Sequence, residues 1–267
     1  MKILLAKSAN ITSTQVSILP PLGLLYLAGY LRKVRSSDEL RFIDLRVTRE
    51  TEYIDLLREW KPDVVALSAM TWDALHAHKM ATMAKRLQPA CKVVMGGPHA
   101  TAYFQEVLAE PDVDFAVLHE GELTFSDLLH QLETGGDVAA VAGIAYRDRN
   151  QVVQVTAARE YVRDLDVLPL PDWDLIDFSK YDKCKPMGLM GGFRVAPLFT
   201  SRACPYQCTY CHDVFGKRFQ KRSVSHVLDE IQLLIDKYQV RHFEIVDDIF
   251  NIDRTAPRKN MHYMGNL

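Results

Sequence analysis

Three cysteines lie close together in the sequence and could bind a metal cluster. Cys204, Cys208 and Cys211 form a Cys-x3-Cys-x2-Cys pattern within the segment SRACPYQCTYC, here called the cysteine motif. Three thiolates can bind three irons of a cubane and leave the fourth iron open, whereas electron carriers close all four positions. The spacing therefore predicts a 4Fe-4S cluster with one open iron, an arrangement that favours chemistry over electron storage.

A structural zinc site is the alternative use of these cysteines. It needs a fourth ligand, for which His212 or Cys184 could be proposed, but zinc knuckles favour Cys-x2-Cys spacing and paired half-sites. The chain has five cysteines, an odd number. Three of them fall within eight residues, which suits metal ligation in a reducing compartment better than a disulfide framework. Cys91 opens a predicted buried strand and is interpreted as a small core residue.

The cysteine motif resembles the signature of the radical S-adenosylmethionine (SAM) superfamily. In that superfamily the open iron chelates SAM, and reductive cleavage then gives a 5'-deoxyadenosyl radical. The resemblance implies that Tyr210 packs beside the SAM adenine and that an electron donor such as flavodoxin or ferredoxin is a partner. It also implies that Asp247 and Asp248 face the SAM amino group, since a carboxylate pairs well with an ammonium. A solvated turn at the strand end is the alternative for these two residues.

The elements around the cysteine motif are predicted to form one βαβ unit. Residues 195–200 form a strand before the motif, Ser223 caps a helix that ends at Tyr238, and residues 242–246 form a second strand. This unit matches the start of a partial (βα)6 TIM-like barrel, in which loops at the strand ends present ligands. The stretch 195–267 is too short for six units of about 30 residues each. We therefore expect a fragment, a truncated product, or a second chain that completes the barrel.

The first half of the chain alternates short apolar strands with amphipathic helices. The predicted strands are 3–6, 41–43, 64–67, 93–95 and 115–118, and the predicted helices are 22–33, 53–60, 74–87, 104–109 and 123–132. Strands covered by helices on both faces predict a doubly wound parallel α/β domain of flavodoxin-like (Rossmann-like) order. The predicted domains are 1–140, a β-hairpin extension at 141–162, a linker at 163–194, and an incomplete radical SAM domain at 195–267.

A flavodoxin-like domain ahead of this motif resembles the radical SAM proteins that carry a cobalamin (B12)-binding domain. The segments PPLGLLYLA, GGPHA and EGE match that family's pattern, and glycines at strand ends let a large ligand approach the backbone. The resemblance implies cobalamin contacts from Ser68, Thr71, Trp72, Gly96, Gly97, Pro98, His99, Glu120, Gly121 and Glu122. Packing is the alternative for the residues after the third strand, loop hydrogen bonding for His99, and helix capping for the two glutamates. The Asp-x-His-x-x-Gly motif of cobalamin mutases is absent, so the lower axial ligand of cobalt stays open.

Composition and charge limit the remaining possibilities. The net charge is -2, with 32 basic and 34 acidic residues, so no field favours nucleic acid or an anionic membrane as partner. The apolar run at 3–6 is too short for a signal peptide, and we expect a cytoplasmic protein acting on a small-molecule substrate. The predicted function is radical methylation, or related C-C bond or ring-forming chemistry. The alternatives are a non-catalytic cobalamin-binding remnant and a zinc-stabilised binding module.

Overall fold

A computed structural model describes residues 1–9, 18–182, 193–212, 214–250 and 252. Cys184 and the last fifteen residues lie outside this part of the chain. The strands are β1 Lys2–Lys7, β2 Glu39–Asp44, β3 Val64–Ser68, β4 Lys92–Gly96, β5 Phe115–Val117, β6 Ile144–Arg147, β7 Val153–Val155, β8 Val195–Leu198, β9 Ser201–Arg202, β10 Gln220–Lys221 and β11 His242–Ile245. The α-helices are α1 Leu22–Val34, α2 Glu50–Asp55, α3 Ala74–Leu87, α4 Pro98–Ala102, α5 Phe104–Ala109, α6 Glu122–Thr134 and α7 Val224–Tyr238.

The first seven strands form one sheet in the order β2-β1-β3-β4-β5-β6-β7. The first five are parallel, which confirms the predicted flavodoxin-like order. Successive side chains of a strand point to opposite faces, so Leu4 and Ala6 of β1 enter one hydrophobic core while Ile3 and Leu5 enter the other. Two buried faces explain why β1, β3, β4 and β5 contain continuous apolar runs, whereas the edge strand β2 is partly exposed.

The predicted hairpin extends the same sheet. Strand β6 pairs antiparallel with β5, and β7 pairs antiparallel with β6. In β6, Ile144 and Ala145 are fully buried, whereas Gln154 and Val155 of β7 are exposed. The hairpin is therefore the outer edge of the N-terminal sheet.

Two helices differ from their predicted bounds by two or more residues at one end. The predicted helix 53–60 begins earlier, at Glu50, and its second half, Leu56–Trp60, is a π-helical turn that ends at the left-handed residue Lys61. The predicted helix 123–132 runs from Glu122 to Thr134 and ends where Gly135 adopts a φ of 66°. In both cases apolar periodicity located the helix, but the positive φ at its end set the terminus.

The βαβ unit around the cysteine motif is present. Strands β8 and β11 pair in parallel, and α7 connects towards β11 with Ser223 accepting a hydrogen bond from the His226 backbone N–H at 3.2 Å. The predicted strand 195–200 ends earlier, at Leu198. Beyond it, β9 pairs antiparallel with β10. This two-stranded ladder closes the base of residues 203–219, here called the cysteine loop.

The predicted linker packs tightly against the N-terminal unit. Trp173 and Phe178 are 1% and 4% exposed, and they share a core with Leu25 of α1 and Leu234 of α7. The Asp172 backbone N–H donates to the Leu25 carbonyl at 2.9 Å. The described part of the linker thus joins the two units through a common apolar core.

Within the described residues, the helices are too short or too polar to span a bilayer.

Candidate functional site

A cavity of about 460 Å³ lies at the carboxyl ends of the parallel strands. One wall comes from β3, β4, β5 and the first turns of α1 and α6. The other wall comes from the second unit and includes Pro197, Phe199, Arg202, Phe215 and Val246. Ligands of open α/β sheets bind outside the carboxyl ends of the strands. The cavity is therefore shared between the N-terminal sheet and the unit that carries the cysteines.

Most of the predicted cobalamin contacts line this cavity. They are Ser68, Trp72, Gly96, Gly97, Pro98, Glu120, Gly121 and Glu122. Thr71 and His99 are not among the described residues that line it. The His99 ring lies 5.3 Å from the Tyr103 ring and 6.4 Å from the His78 ring, and the side chain is buried. Burial, and then the neighbouring His78, lower the pKa of His99, so a neutral packed histidine is the role that the structure gives it.

Two glycines of the cavity wall differ in the space around them. Gly97 has a φ of 96°, and a Cβ there would lie 2.9 Å from the Ala69 carbonyl oxygen. Only glycine adopts this conformation without strain. Gly23, in the first turn of α1, would place a Cβ where no other atom lies within 4 Å. Gly23 therefore leaves open space at the helix surface, while Gly97 is required by the turn itself.

The three cysteines of the cysteine loop differ in their exposure. Cys204 is half-buried, Cys208 and Cys211 are exposed, and none of the three forms a disulfide. The Cys211 backbone N–H donates to the Cys208 carbonyl at 3.1 Å, which forms a turn between two of the thiols. The described residues contain no preassembled group of three or more metal-ligating side chains. Tyr210 is 90% exposed, so its ring is available to a ligand of this loop.

The two aspartates after β11 have different surroundings. Asp247 accepts hydrogen bonds from the Thr200 backbone N–H and from the Ser201 hydroxyl, both at 2.8 Å, and also from the Thr200 hydroxyl. The Asp248 carboxylate lies 3.5 Å from Nε2 of His212, the residue after the last motif cysteine. Burial raises the pKa of Asp248, and the nearby His212 only partly offsets this. Asp247 therefore fixes the end of β8, which leaves Asp248 as the acidic group facing the cysteine loop.

A buried ion triad joins the two walls of the cavity. Arg202, 5% exposed, donates to Glu120 at 2.8 Å and to Glu122 at 2.7 Å. Burial lowers the pKa of Arg202, but the Glu122 and Glu120 carboxylates outweigh it and hold the pKa above its usual value. Glu122 begins α6 and is the acidic residue of its first turn, a position where a carboxylate stabilises a helix. Helix capping and ligand contact therefore both stay predictions for the two glutamates.

Sequence reasoning missed Arg202 and a second buried cation. Lys7, at the end of β1, lines the cavity, pairs with Asp73 and donates to the Ser68 carbonyl at 3.2 Å. Burial lowers the pKa of Lys7, and Asp73 opposes this effect. The available signal was a lysine that ends an apolar strand and an arginine two residues before the first motif cysteine. Neither indicates its partner, because the partners are 66 and 80 or more residues away.

Comparison with known proteins agrees with this architecture. Residues 10–129 match the family model of the B12 binding domain. The chain is 33% identical over 241 residues to the uncharacterized methyltransferase PH0819 of Pyrococcus horikoshii, covering 88% of this chain and 50% of that protein. It is 32% identical over 157 residues to the cobalamin-dependent radical SAM methyltransferase TokK of Streptomyces tokunonensis, covering 57% of this chain and 22% of that protein.

A solved structure has the same fold. The cobalamin-dependent SAM radical enzyme OxsB, determined with aqua-cobalamin and SAM bound, superposes with a TM-score of 0.78 at 21% identity. The match covers 94% of this chain and 34% of that one. Fold and sequence thus define a B12-binding α/β domain joined to a cysteine-bearing βαβ unit. The chain therefore contains a match to the B12 binding domain and is similar to cobalamin-dependent radical SAM proteins, and it spans half the length of the Pyrococcus relative.

Proposed function

We propose that this chain binds cobalamin, a 4Fe-4S cluster and SAM, and that it takes part in radical methylation or in related C-C bond or ring-forming chemistry on a small molecule. The cavity carries the proposal, because its two walls come from the B12-binding sheet and from the unit that holds the cysteines. A ligand in this cavity lies between the two cofactor-binding elements, which is the proximity that group transfer between cofactors requires.

Two features of the cavity lining support cobalamin as its ligand. The first turn of α1 is open at Gly23, and the turn at Gly97 brings backbone rather than side chain to the surface. The lining is largely apolar, with Leu24, Leu27 and Phe125 between α1 and α6. Such a slot suits the nucleotide tail of a large cofactor, and the charged groups of the lining add polar contacts to it.

The donors of the cysteine loop fit an iron-sulfur cluster better than zinc. Three thiols are free, and the described part of the loop offers only His212 as a nearby fourth ligand. That imidazole lies 3.5 Å from Asp248, which favours its role as a partner of the carboxylate. When bound, the cluster would supply an electron to SAM, and cobalamin would supply the methyl carrier. The protein's own part is to hold Tyr210 and Asp248 beside the cluster and to position the substrate.

A titration with hydroxocobalamin tests the proposal at Gly23. Gly23→Leu fills the open space at the helix surface without meeting another atom at its Cβ, so we expect a folded protein that binds cobalamin at least about 10-fold more weakly, a loss of about 1.4 kcal/mol. Binding is measured by the change in the corrin absorbance. Substitution of Gly97 would not serve, because its Cβ would collide with the Ala69 backbone.

Ala140→Leu is the matched control, since Ala140 is exposed and does not line the cavity. This variant should bind cobalamin like the wild-type protein. Equal affinity of wild type and Gly23→Leu would place cobalamin outside the cavity. Absence of binding by the wild-type protein would contradict the proposed function.

A further inference from the structure

The turn between β5 and α6, residues 118–122, contacts the chain on both sides of the cysteine motif. Before the loop, Arg202 in β9 is bound by Glu120 and Glu122 at 2.8 and 2.7 Å. After the cysteines, the Val214 carbonyl lies 3.0 Å from Nδ1 of His119. The same turn therefore holds the chain on either side of the motif.

The turn is itself fixed in place. Glu120 also accepts a hydrogen bond from the Val162 backbone N–H at 2.7 Å, so both of its oxygens are engaged. His119 adopts a φ of 61°, and its Nδ1 lies 3.0 Å from the Tyr161 hydroxyl. The Tyr161 ring in turn packs where a Cβ of Gly216 would lie, 2.8 Å from the nearest ring atom. These contacts leave the turn little freedom to move independently of the cysteine loop.

The turn is also part of the cavity wall. His119, Glu120, Gly121 and Glu122 all line the cavity, and so does Arg202. The Arg202 guanidinium lies 5.4 Å from the Tyr26 ring centroid and 5.7 Å from that of Phe215, so apolar rings cover the charged group. A buried charge of this kind depends on its partners, because the loss of one leaves the other unpaired in a poorly solvated site.

We propose that Arg202 is a positioning residue that couples occupation of the cobalamin cavity to order in the cysteine loop. A ligand that contacts the turn restrains Glu120 and Glu122, these restrain Arg202, and Arg202 fixes the strand that leads to Cys204. The inference rests on the proposed function, since it takes cobalamin as the ligand of the cavity. Coupling between two sites is reciprocal, so order in the cysteine loop also strengthens cobalamin binding.

Hydrogen exchange of the whole chain tests this coupling. The measured quantity is the ratio of backbone exchange in residues 203–212 without and with saturating hydroxocobalamin. We expect the wild-type ratio to be at least about 5, the lower end of typical coupling factors. Arg202→Lys keeps the charge but loses the two-pronged geometry, so its ratio, measured at a hydroxocobalamin concentration that saturates the variant, should fall below about 2.

Glu122→Gln is the second variant, because it removes one charge of the triad and keeps an acceptor oxygen. We expect its exchange ratio to fall as that of Arg202→Lys does. If the Arg202→Lys protein does not fold, Glu122→Gln provides the test of the coupling. Arg163→Lys, at the exposed pair with Glu160, is the control and should keep the wild-type ratio. A merely structural role for Arg202 would raise exchange equally with and without cobalamin, leaving the ratio unchanged.

The outcomes separate the inference from the function on which it rests. Equal ratios in the wild type and in the folded variants would overturn the coupling, since direct coverage of the loop by cobalamin would protect all of them alike. A wild-type ratio near 1 with cobalamin bound would overturn it as well. Failure of the wild-type protein to bind cobalamin would instead overturn the proposed function, and the coupling with it.

Discussion

Each cysteine of this chain has surroundings that decide what its sulfur can do. Cys91 precedes β4 in the core of the N-terminal sheet and is 2% exposed. Burial raises the pKa of the Cys91 thiol, which disfavours the thiolate that metals require. The thiols of Cys204, Cys208 and Cys211 lie in a loop and reach solvent to differing degrees. Only these three of the described cysteines are accessible to an incoming metal.

Iron analysis after anaerobic reconstitution tests this difference. We expect about four irons per wild-type chain, and loss of most of that iron in Cys204→Ala, Cys208→Ala and Cys211→Ala, because three thiolates hold a cubane with an open iron. Cys91→Ala is the matched control and should keep its iron. Stoichiometric zinc in place of iron, or full iron content in Cys208→Ala, would contradict the assignment.

The sequence was informative about single residues where spacing along the chain carries the meaning. The cysteine motif needs no tertiary information, since its three thiols lie within eight positions. Arg202 is different, because its role depends on two carboxylates that the fold brings from a turn some 80 residues earlier. The position of His99 illustrates a related limit of sequence reasoning. Its position after β4 indicates the correct edge of the sheet, but only packing decides which side chains of that edge face the cavity.

At the scale of elements, helix α1 contains two glycines, one with open space around it and one in close contact with another segment of the backbone. Gly23 has open space, as described above, whereas Gly29 lies under the chain that follows the N-terminal unit. A Cβ at Gly29 would lie 2.3 Å from the Leu170 carbonyl oxygen. The Asp172 backbone N–H, close by, donates to the Leu25 carbonyl. The helix therefore uses Gly29 to let the linker backbone cross its surface.

Alanine substitutions at these two positions should change stability in opposite directions. Gly23→Ala should stabilise the protein by up to about 0.5–1 kcal/mol, because alanine loses less backbone entropy in a helix. Gly29→Ala should destabilise it by about 1–3 kcal/mol, since the backbone atoms above it must move apart. The free energy of unfolding in urea measures both effects. A Gly29→Ala protein as stable as Gly23→Ala would show that the linker does not dock on α1.

The sequence predicted the strands and helices that have a clear apolar pattern. It did not predict the strands that are only two residues long. The five parallel strands and their order followed from alternating apolar and amphipathic segments, because burial on both faces of the sheet demands that pattern. The two-residue strands β9 and β10 have no such pattern. Their pairing arises from closure of the cysteine loop, and Arg222, whose backbone N–H donates to the Thr200 carbonyl at 2.9 Å, extends it. The sequence also did not predict that the linker packs against the N-terminal unit, since the composition of the linker indicated only an irregular segment.

At the scale of the whole molecule, the core between the two units decides whether they unfold together. This core contains Leu25 and Tyr26 from α1, Trp173 from the linker, and Leu234 from α7. Polar contacts reinforce it, because the buried Arg222 donates to the Tyr26 hydroxyl at 2.9 Å and pairs with Glu230 of α7. A shared core of this kind favours a single cooperative unfolding transition. It also fixes the two walls of the cavity relative to each other.

Replacement of Trp173 should separate the unfolding of the two units. The side chain is 1% exposed and stacks on Phe178 at 5.7 Å, so Trp173→Ala should reduce the free energy of unfolding by about 3–5 kcal/mol through lost burial and a residual cavity. Because the lost contacts lie between the units, α7 should then exchange its amides at lower urea concentration than β1 and β3, whereas the wild-type transitions coincide. Trp72→Ala is the control: that side chain is 59% exposed, and its removal should change stability by less than about 0.5 kcal/mol. Coincident transitions in Trp173→Ala would show that the polar contacts alone join the units. In that case Tyr26→Phe, which removes the hydroxyl that Arg222 contacts, should separate them instead.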